Sequence, residues 1–265
     1  MNRIAVLITC FNRKDRTLRC LQTVSQQNVA VDIFLVDDGS TDGTSEAVSL
    51  HFPDVHIIKG NGNLYWNRGM YTAWTEAEKG DYDFYLWLND DTYLYDDAFK
   101  MTLEASSSQQ HKALIVGAIC SPTDKMRPFG GDYKKKPLYP NGELQLCDEF
   151  GGNFVWVPRV VHQACGKLDP YYWHSLGDTD YGRMVTKKGF KMFITPKHVG
   201  EFDNDERAPV WHDSSKSLKE KYKMLFHPLS YSNPKEFFYF YRKHENIFSA
   251  TGHAASIFLK LFVGK

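Results

Sequence analysis

The sequence predicts an α/β fold: a mostly parallel sheet flanked by helices, with a smaller mixed sheet in the second half and a helical C-terminal tail. Strand-like apolar runs alternate with helix-like segments over about the first 105 residues, a pattern typical of parallel sheets. The chain has 265 residues, 42% of them hydrophobic and 24% charged. This composition is that of a globular protein and excludes a disordered, collagen-like or coiled-coil chain.

The first part of the chain is predicted to contain four buried strands, each a short run of apolar and β-branched residues. These strands are residues 4–9, 31–36, 55–58 and 84–88. A helix follows each of them. Asn12 is placed to cap the first helix, in which Leu18, Leu21 and Val24 share one face, and Asp96 and Asp97 open the fourth. The second and third helices are predicted near residues 44–50 and 66–78.

The second part of the chain is less regular. Strands are predicted at residues 114–119, 154–157 and 191–195, and residues 121–148 form a loop or hairpin region in which Lys134–Lys136 face solvent. Helices are predicted after Pro158, at residue 177 and from about residue 215. We therefore expect one domain over residues 1–214, with a regular half (1–105) and a less regular half (106–214), and a helical extension over residues 215–265.

Charge, hydropathy and cysteine spacing exclude several classes of protein. Equal numbers of basic and acidic residues, 32 each, disfavour general nucleic-acid binding. No apolar run approaches the roughly 18 residues of a membrane span. The five cysteines are widely spaced and form no CxxC pair, which disfavours a disulfide framework or a zinc site. We expect a cytoplasmic protein.

Acidic clusters follow two of the predicted strands. Asp37 and Asp38 end the second strand, and Asn89-Asp90-Asp91 ends the fourth. Ligands of parallel sheets bind beyond the carboxyl ends of the strands. Asp38 can therefore bind a base or ribose, or can serve only the turn. The Asn89–Asp91 cluster can hold a hard cation on a diphosphate, or can cap a helix.

Two further candidates lie in the second half. Asp178 and Asp180 stand at a predicted helix start. Residues two positions apart on a helix do not share a face, so the two carboxylates are expected to have different roles. One can serve as a general base and the other as a structural acid, or both can simply favour the helix N-terminus. His198 follows the strand at 191–195 and is either structural or a metal ligand, a role for which His212 competes.

Six motifs in this order resemble the family 2 glycosyltransferases with a GT-A fold. The motifs are Thr-Cys-Phe-Asn-Arg (9–13), Val-Asp-Asp-Gly-Ser-Thr-Asp (36–42), Asn-Gly-Asn-Leu-Tyr-Trp-Asn-Arg-Gly (61–69), Trp-Leu-Asn-Asp-Asp-Thr (87–92), Gly-Gly-Asn-Phe (151–154) and Gly-Asp-Thr-Asp-Tyr-Gly (177–182). The resemblance covers about residues 3–205. The loop at 63–67 and the aromatic segment at 237–243 are similar to the rhamnosyltransferase-like and galactofuranosyltransferase-like branch.

The resemblance implies an inverting, metal-dependent transfer of a sugar from a nucleotide diphosphate to an acceptor hydroxyl. It implies a general base at Asp178 and a Mg²⁺ or Mn²⁺ ion held by Asp91 and His198. Asn89 departs from the first acid of the family's Asp-X-Asp motif. The donor contacts implied are Thr9, Phe11, Asn12, Arg13, Asp38, Asn67, Asn89 and Asp90. The acceptor side implied is Gly151, Gly152, Trp173 and Asp180. The resemblance thus makes residues 1–105 the nucleotide-binding half of the domain and residues 106–214 its acceptor and catalytic half.

The expected partners are a UDP- or dTDP-linked sugar and a glycan or lipid-linked acceptor of cell-envelope polysaccharide synthesis. A nucleotidyltransferase is disfavoured, because residues 9–14 lack the glycines of a triphosphate-binding loop. An inactive nucleotide-sugar or carbohydrate-binding protein stays open. The role of the apolar segment at 257–262 is also open: it can pack on the domain, join a second copy or contact the inner face of a membrane.

Overall fold

A computed structural model gives the structure of the protein and describes residues 2–122, 128–203 and 216–263. The strands in this part of the chain are β1 Ile4–Cys10, β2 Asp32–Asp37, β3 His56–Lys59, β4 Phe84–Leu88, β5 Thr92–Leu94, β6 Ala113–Cys120, β7 Pro128–Phe129, β8 Gly131–Tyr133, β9 Lys136–Pro137, β10 Gln145–Cys147, β11 Glu149–Phe150, β12 Phe154–Pro158 and β13 Lys191–Phe202. The helices are α1 Lys14–Ser25, α2 Thr44–His51, α3 Tyr65–Ala77, α4 Ala98–Ser108, α5 Arg159–Cys165, α6 Gly177–Lys187, α7 Leu218–Leu225, α8 Pro234–His244 and α9 Ile247–Val263.

One large sheet organises the molecule, in the order β10-β13-β6-β12-β4-β1-β2-β3, with β5 paired to β13 and β7 to β6. Strands β4, β1, β2 and β3 are parallel to one another, whereas β12 runs antiparallel to both β4 and β6. The α/β class is confirmed. The strands of the second half extend this same sheet, and β11, β8 and β9 form a separate small antiparallel sheet.

The sheet is covered on both faces, which explains why its strands read as continuous apolar runs. Helices α1, α2 and α4 pack on one face, and their buried side chains include Leu21, Val48 and Phe99. Helices α3, α5 and α6 pack on the other face, where Trp74 and Tyr181 are fully buried. This layering leaves the carboxyl ends of β1, β2 and β4 at one open edge.

Local chemistry at three positions differs from the sequence prediction. Asn12 does not cap α1, because its backbone adopts φ of 51° and its side chain binds the β2–α2 turn; Arg13 is the N-cap residue and makes no side-chain cap. Asp97 precedes α4 but likewise makes no cap hydrogen bond. The short strand β5 was not predicted, and β13 continues seven residues beyond the predicted end at Thr195.

The C-terminal helices begin where side chains satisfy their first N–H groups. Ser217 and Glu220 form a capping box at α7, and Asn233 caps α8 ahead of Pro234. Helix α8 packs along α9. Among the described residues, no helix combines the length and hydropathy needed to cross a membrane. The helical tail is thus as predicted.

Candidate active site

An open cleft of about 860 Å³ lies at the carboxyl ends of β1, β2 and β4. Loops before β12 and α6, the end of β13 and the α7–α8 connection complete its walls. The lining side chains used below are Thr9, Phe11, Arg13, Asp38, Tyr65, Trp66, Asn89, Asp90, Asp91, Gly151, Gly152, His174, Ser175, Leu176, Asp178, Thr179, Phe202, Asp203, His227, Leu229 and Tyr231. Both acidic clusters of the sequence therefore meet in one cleft.

At the end of β2, two carboxylates whose oxygens all accept hydrogen bonds shape one wall of the cleft. Asp37 is buried and accepts hydrogen bonds from Ser40 and Ser45, which outweigh the effect of burial and lower its pKa. Asp38 accepts from the backbone N–H groups of Gly62 at 2.8 Å, Leu64 at 2.8 Å and Tyr65 at 3.0 Å. Since α3 begins at Tyr65, the charge of Asp38 stands at a helix N-terminus, where it is stabilised.

The end of β4 presents a different kind of acid pair. Asp90 and Asp91 share the guanidinium of Arg13, whose Nη1 lies 3.3 Å from Asp90 Oδ1 and 2.8 Å from Asp91 Oδ2. Burial and the neighbouring charge of Asp91 raise the pKa of Asp90 to about 7, and burial also raises the pKa of Asp91. Asp90 Oδ2 and Asp91 Oδ1 are buried and have no hydrogen-bond partner among the described residues.

The unpartnered oxygens of Asp90 and Asp91 bear on the predicted metal. No group of three or more His, Cys, Asp or Glu that could hold a metal occurs among residues 2–122, 128–203 and 216–263. Mg²⁺, however, is commonly held by one or two carboxylates together with substrate phosphates. Two buried carboxylate oxygens without partners fit such a divalent cation, because a cation would satisfy both.

Asn89 and Trp66 join β4 to the wall opposite. The indole Nε1 of Trp66 donates to Asn89 Oδ1 at 2.7 Å, and the N–H of Asn89 donates to the carbonyl of Asn153 at 3.0 Å. A Cβ at Gly152 would come within 2.4 Å of the Trp66 ring, so only glycine allows this approach. The side chain of Asn89 thus positions an aromatic wall of the cleft.

Asp178 lies across the cleft at the first turn of α6. Its Oδ2 accepts from the N–H of Gly152 at 3.1 Å, and its Oδ1 accepts from the N–H of Thr179 at 2.7 Å. Burial raises the pKa of Asp178, although these two N–H groups act in the opposite direction. The result is a half-buried, oriented carboxylate facing the same space as Asp90 and Asp91.

Of the predicted donor contacts, Thr9, Phe11, Arg13, Asp38, Asn89 and Asp90 line the cleft. Two others do not. Asn12 is used by the neighbouring turn, since it donates from its N–H to Ser40 Oγ and accepts from the N–H of Thr41. Asn67 is fully buried, and its amide donates to the carbonyls of Asp169 and Tyr172. Both residues therefore hold loops and do not line the cleft.

On the predicted acceptor side, Gly151 and Gly152 line the cleft, and Trp173 and Asp180 do not. Trp173 lies under the guanidinium of Arg68, and its N–H donates to Glu236 at 2.8 Å. Asp180 is fully buried. It accepts from Tyr172 at 2.9 Å and Lys243 at 2.8 Å, with His244 also 2.8 Å away. Asp180 therefore joins α6 to α8.

The structure does not bring His198 to the acid pair. His198 pairs with Ala118 inside the main sheet, and it is not among the described residues that line the cleft. The same strand reaches the cleft only at its end, through Phe202 and the following Asp203. Within the described residues His198 therefore lies outside the cleft wall, and its role as a metal ligand stays a prediction. The competing candidate His212 lies outside the described residues.

Several cleft residues carry no sequence signal. His174, Ser175 and Leu176 come from an irregular loop, and Leu176 adopts φ of 66° just before α6. His227 and Tyr231 come from the α7–α8 connection, in the segment that the sequence separates as a C-terminal extension. Neither segment has a periodic pattern or a motif, so only tertiary structure places them at the site.

Comparisons with known proteins identify the family of the chain and solved structures of similar fold. Residues 5–158 match the family model described as Glycosyl transferase family 2. No curated protein matches the sequence. Among solved structures, the chain is similar to a mannosyltransferase, PcManGT from Pyrobaculum calidifontis, in complex with GDP-Man and Mn²⁺. The identity is 13% and the TM-score 0.60, over 99% of this chain and 76% of that one.

A second similar structure is S. aureus TarS 1-349 in complex with UDP-GlcNAc. It is 10% identical with a TM-score of 0.57, over 100% of this chain and 72% of that one. The chain covers 43% of a longer TarS structure, at 10% identity and a TM-score of 0.58. At these identities the likeness concerns the fold, and it confirms the GT-A type.

Proposed function

We propose that this chain, which belongs to glycosyl transferase family 2, transfers a sugar from a nucleoside diphosphate to an acceptor hydroxyl with inversion at the anomeric carbon. One observation carries the proposal. A single cleft holds an oriented carboxylate, Asp178, opposite a buried acid pair, Asp90 and Asp91, with two unpartnered oxygens. The first can accept a proton, and the second can complete a cation–diphosphate site.

In the proposed reaction, Asp178 accepts the proton of the acceptor hydroxyl as the new glycosidic bond forms. The N–H groups of Gly152 and Thr179 hold the carboxylate in place, and its raised pKa makes it a better base than a solvent-exposed aspartate. The hydroxyl attacks on the face opposite the departing diphosphate, so the anomeric configuration inverts. General-base catalysis of this kind contributes about 10²–10⁴-fold to the rate.

Asp91, with Asp90 beside it, would hold a divalent cation, either Mg²⁺ or Mn²⁺. Such an ion, when bound, neutralises charge on the diphosphate leaving group. Arg13 already balances the acid pair in the structure and is placed to contact the diphosphate once a cation shares that task. A relative of the same fold is described in complex with GDP-Man and Mn²⁺, which supports the proposed ion.

Thr9, Phe11 and Asp38 form the end of the cleft proposed for the nucleoside, and a UDP- or dTDP-linked sugar is the proposed donor. A structure with UDP-GlcNAc among the similar folds supports the uridine form. Tyr65, Trp66 and Tyr231 offer aromatic faces suited to sugar rings. We propose a glycan or lipid-linked acceptor from polysaccharide synthesis, in the rhamnosyltransferase-like and galactofuranosyltransferase-like branch, supported by the loop at 63–67.

The test combines binding and turnover in the full chain. A thermal-shift screen with UDP, dTDP, GDP and CDP, each with and without Mn²⁺, identifies the nucleobase of the donor. A ligand at about 100 times its Kd stabilises the protein by about 2.7 kcal/mol. Metal-dependent hydrolysis of the matching nucleotide-sugar then reports catalysis. No shift with any nucleotide contradicts the donor site, and a shift without hydrolysis or transfer favours an inactive nucleotide-sugar-binding protein.

The variant Asp178→Asn tests the assignment of Asp178 as the general base. We expect this variant to keep the metal-dependent nucleotide shift and to lose transfer by about 10²–10⁴-fold, since asparagine cannot accept the proton. Asp96→Asn, which changes an exposed acid of the same charge, serves as the matched control and keeps full activity. Transfer by Asp178→Asn at the wild-type rate contradicts the assignment.

A further inference from the structure

The C-terminal helices carry a charge opposite to that of the rest of the chain. Residues 216–265 contain nine Lys and Arg against three Asp and Glu, whereas residues 1–215 contain 23 against 29. The chain has no net charge, so the tail is positive by six and the remainder negative by six. Such an asymmetry gives one end of the molecule an attraction for an anionic surface.

Helix α7 presents an amphipathic face to solvent. Leu218, Lys219, Tyr222 and Lys223 are all exposed and lie on one side of the helix, because they are spaced i, i+1, i+4 and i+5. Leu225, two turns after Leu218 at the edge of this side, is buried and packs against Ile257 of α9. Two apolar side chains flanked by two lysines are the arrangement of a helix that lies at a lipid–water interface.

Helix α9 adds an exposed face without charge. Phe248, Thr251, Gly252, Ala255 and Leu259 recur at three- and four-residue spacing, and every one is exposed. Phe248 is 86% exposed and Leu259 is 63% exposed, which is unusual for large apolar side chains on two ends of one helix face. The other face of α9 is buried through Ala250 and Ile257.

The faces of α7 and α9 adjoin. The ring of Tyr222 lies 6.2 Å from that of Phe258, next to Leu259, and 5.2 Å from that of Phe226. Tyr222 and Phe258 therefore bring α7, with its lysines, against the part of α9 in which Leu259 is exposed. We define the docking surface as Leu218, Lys219, Tyr222, Lys223, Phe248 and Leu259.

We propose that this docking surface binds the surface of an anionic lipid bilayer. Charge complementarity decides between a bilayer and a second copy of the chain. Two copies that met through this surface would bring two positive tails together, whereas an anionic bilayer attracts them. The apolar residues supply the second attraction that stable interfacial binding needs.

The docking surface lies next to the cleft in the chain. The connection between α7 and α8 carries His227, Leu229 and Tyr231 into the cleft, directly after the docking helix α7. Docking therefore places one wall of the cleft next to the bilayer. This inference concerns where the protein binds and does not depend on the proposed transfer reaction.

Co-sedimentation of the full chain with vesicles tests the proposal. We expect binding to phosphatidylcholine vesicles that contain about 30% phosphatidylglycerol, weakening as salt rises, and little binding to phosphatidylcholine alone. Lys219→Gln with Lys223→Gln should weaken partitioning about 30-fold, since each lysine near an anionic surface contributes about fivefold. Phe248→Ser with Leu259→Ser should weaken it at least about tenfold.

Lys135→Gln with Lys136→Gln is the matched control, because it removes the same charge from exposed positions away from the C-terminal helices. This variant should bind vesicles like the wild type, and circular dichroism should show all variants folded. Light scattering after gel filtration provides the second readout. A dimer that Phe248→Ser abolishes, equal loss in the control pair, or no binding to anionic vesicles overturns the proposal.

Discussion

The two acidic turns of the cleft use the same residue type in opposite ways. Asp38, after β2, is buried and its carboxylate accepts three backbone N–H groups. Asp90 and Asp91, after β4, also lie largely buried, but they share one arginine and leave two oxygens without a described partner. A saturated carboxylate shapes the cleft, whereas an unsaturated buried pair retains capacity for a ligand.

The raised pKa of Asp90 follows from this difference. Burial next to a second carboxylate disfavours the charged form, and one guanidinium opposes this only in part. A site that held only structural charges would gain by replacing one acid with an amide. A bound cation would compensate both acids and would explain why the site contains the pair.

Asp91→Asn should show the largest effect. We expect the variant to lose the metal-dependent stabilisation by a nucleoside diphosphate, about 2.7 kcal/mol at 100 times Kd, and to lose transfer by about 10²-fold or more. The free energy of unfolding without ligand should stay equal or rise, because one of two like charges is removed. Thermal shift and urea denaturation measure the two quantities.

Asp96→Asn again controls for the loss of one exposed negative charge. If Asp91→Asn keeps the full metal-dependent shift, the acid pair does not hold the cation, and the contrast with Asp38 loses its meaning.

Asp38→Asn should show the reverse behaviour. An asparagine offers one acceptor oxygen, and its NH₂ group faces backbone N–H groups that need an acceptor, so at least one of them is left unsatisfied. We expect a loss of about 2–3 kcal/mol in the free energy of unfolding without any ligand. Urea denaturation at pH 7 measures it. An equally stable variant that no longer binds nucleotide would instead make Asp38 a ligand contact.

Much of the fold was predictable because its cause is local. Strand β4 occupies residues 84–88 as predicted, since five consecutive apolar residues between polar turns suit a strand buried on both faces. The meeting of the acids at the ends of β2 and β4 was predictable for a topological reason, because parallel strands bring their carboxyl ends to one edge.

The partners of each acid were not predictable, because they come from distant parts of the chain. The hydrogen-bond donors to Asp38 come from a loop 24–27 residues later. Asp180 pairs with Lys243, 63 residues away, and with His244, 64 residues away. The sequence motif around Asp178 and Asp180 treats both as site residues. Only tertiary structure turns one toward the cleft and the other toward α8.

Glu236 is an intermediate case that sharpens the comparison. It is only 2% exposed; its Oε1 accepts from the N–H of Trp173, and its Oε2 has no partner among the described residues. Burial raises the pKa of Glu236 to about 7, although the Trp173 N–H and Arg68 oppose this. A buried carboxylate with only one oxygen hydrogen-bonded should therefore reduce stability at neutral pH, without the compensation that the proposed cation would give Asp91.

The expected effect of Glu236→Gln is the smallest and has a defined sign. The folded chain holds the proton to about pH 7, whereas the unfolded chain releases it near the usual value of 4.5. Stability from this group is thus present below pH 4.5 and is lost as the pH rises to 7, by at most about 3 kcal/mol. Glutamine keeps the acceptor for Trp173 and does not titrate, so the free energy of unfolding of the variant should exceed that of the wild type by about 1–3 kcal/mol between pH 5 and 8.

Urea denaturation across that range measures this difference, and Glu104→Gln, which changes an exposed acid, should show none. Equal pH slopes in wild type and Glu236→Gln would mean that Glu236 is compensated like Asp38, and that an unpartnered buried oxygen is not by itself a mark of a ligand site.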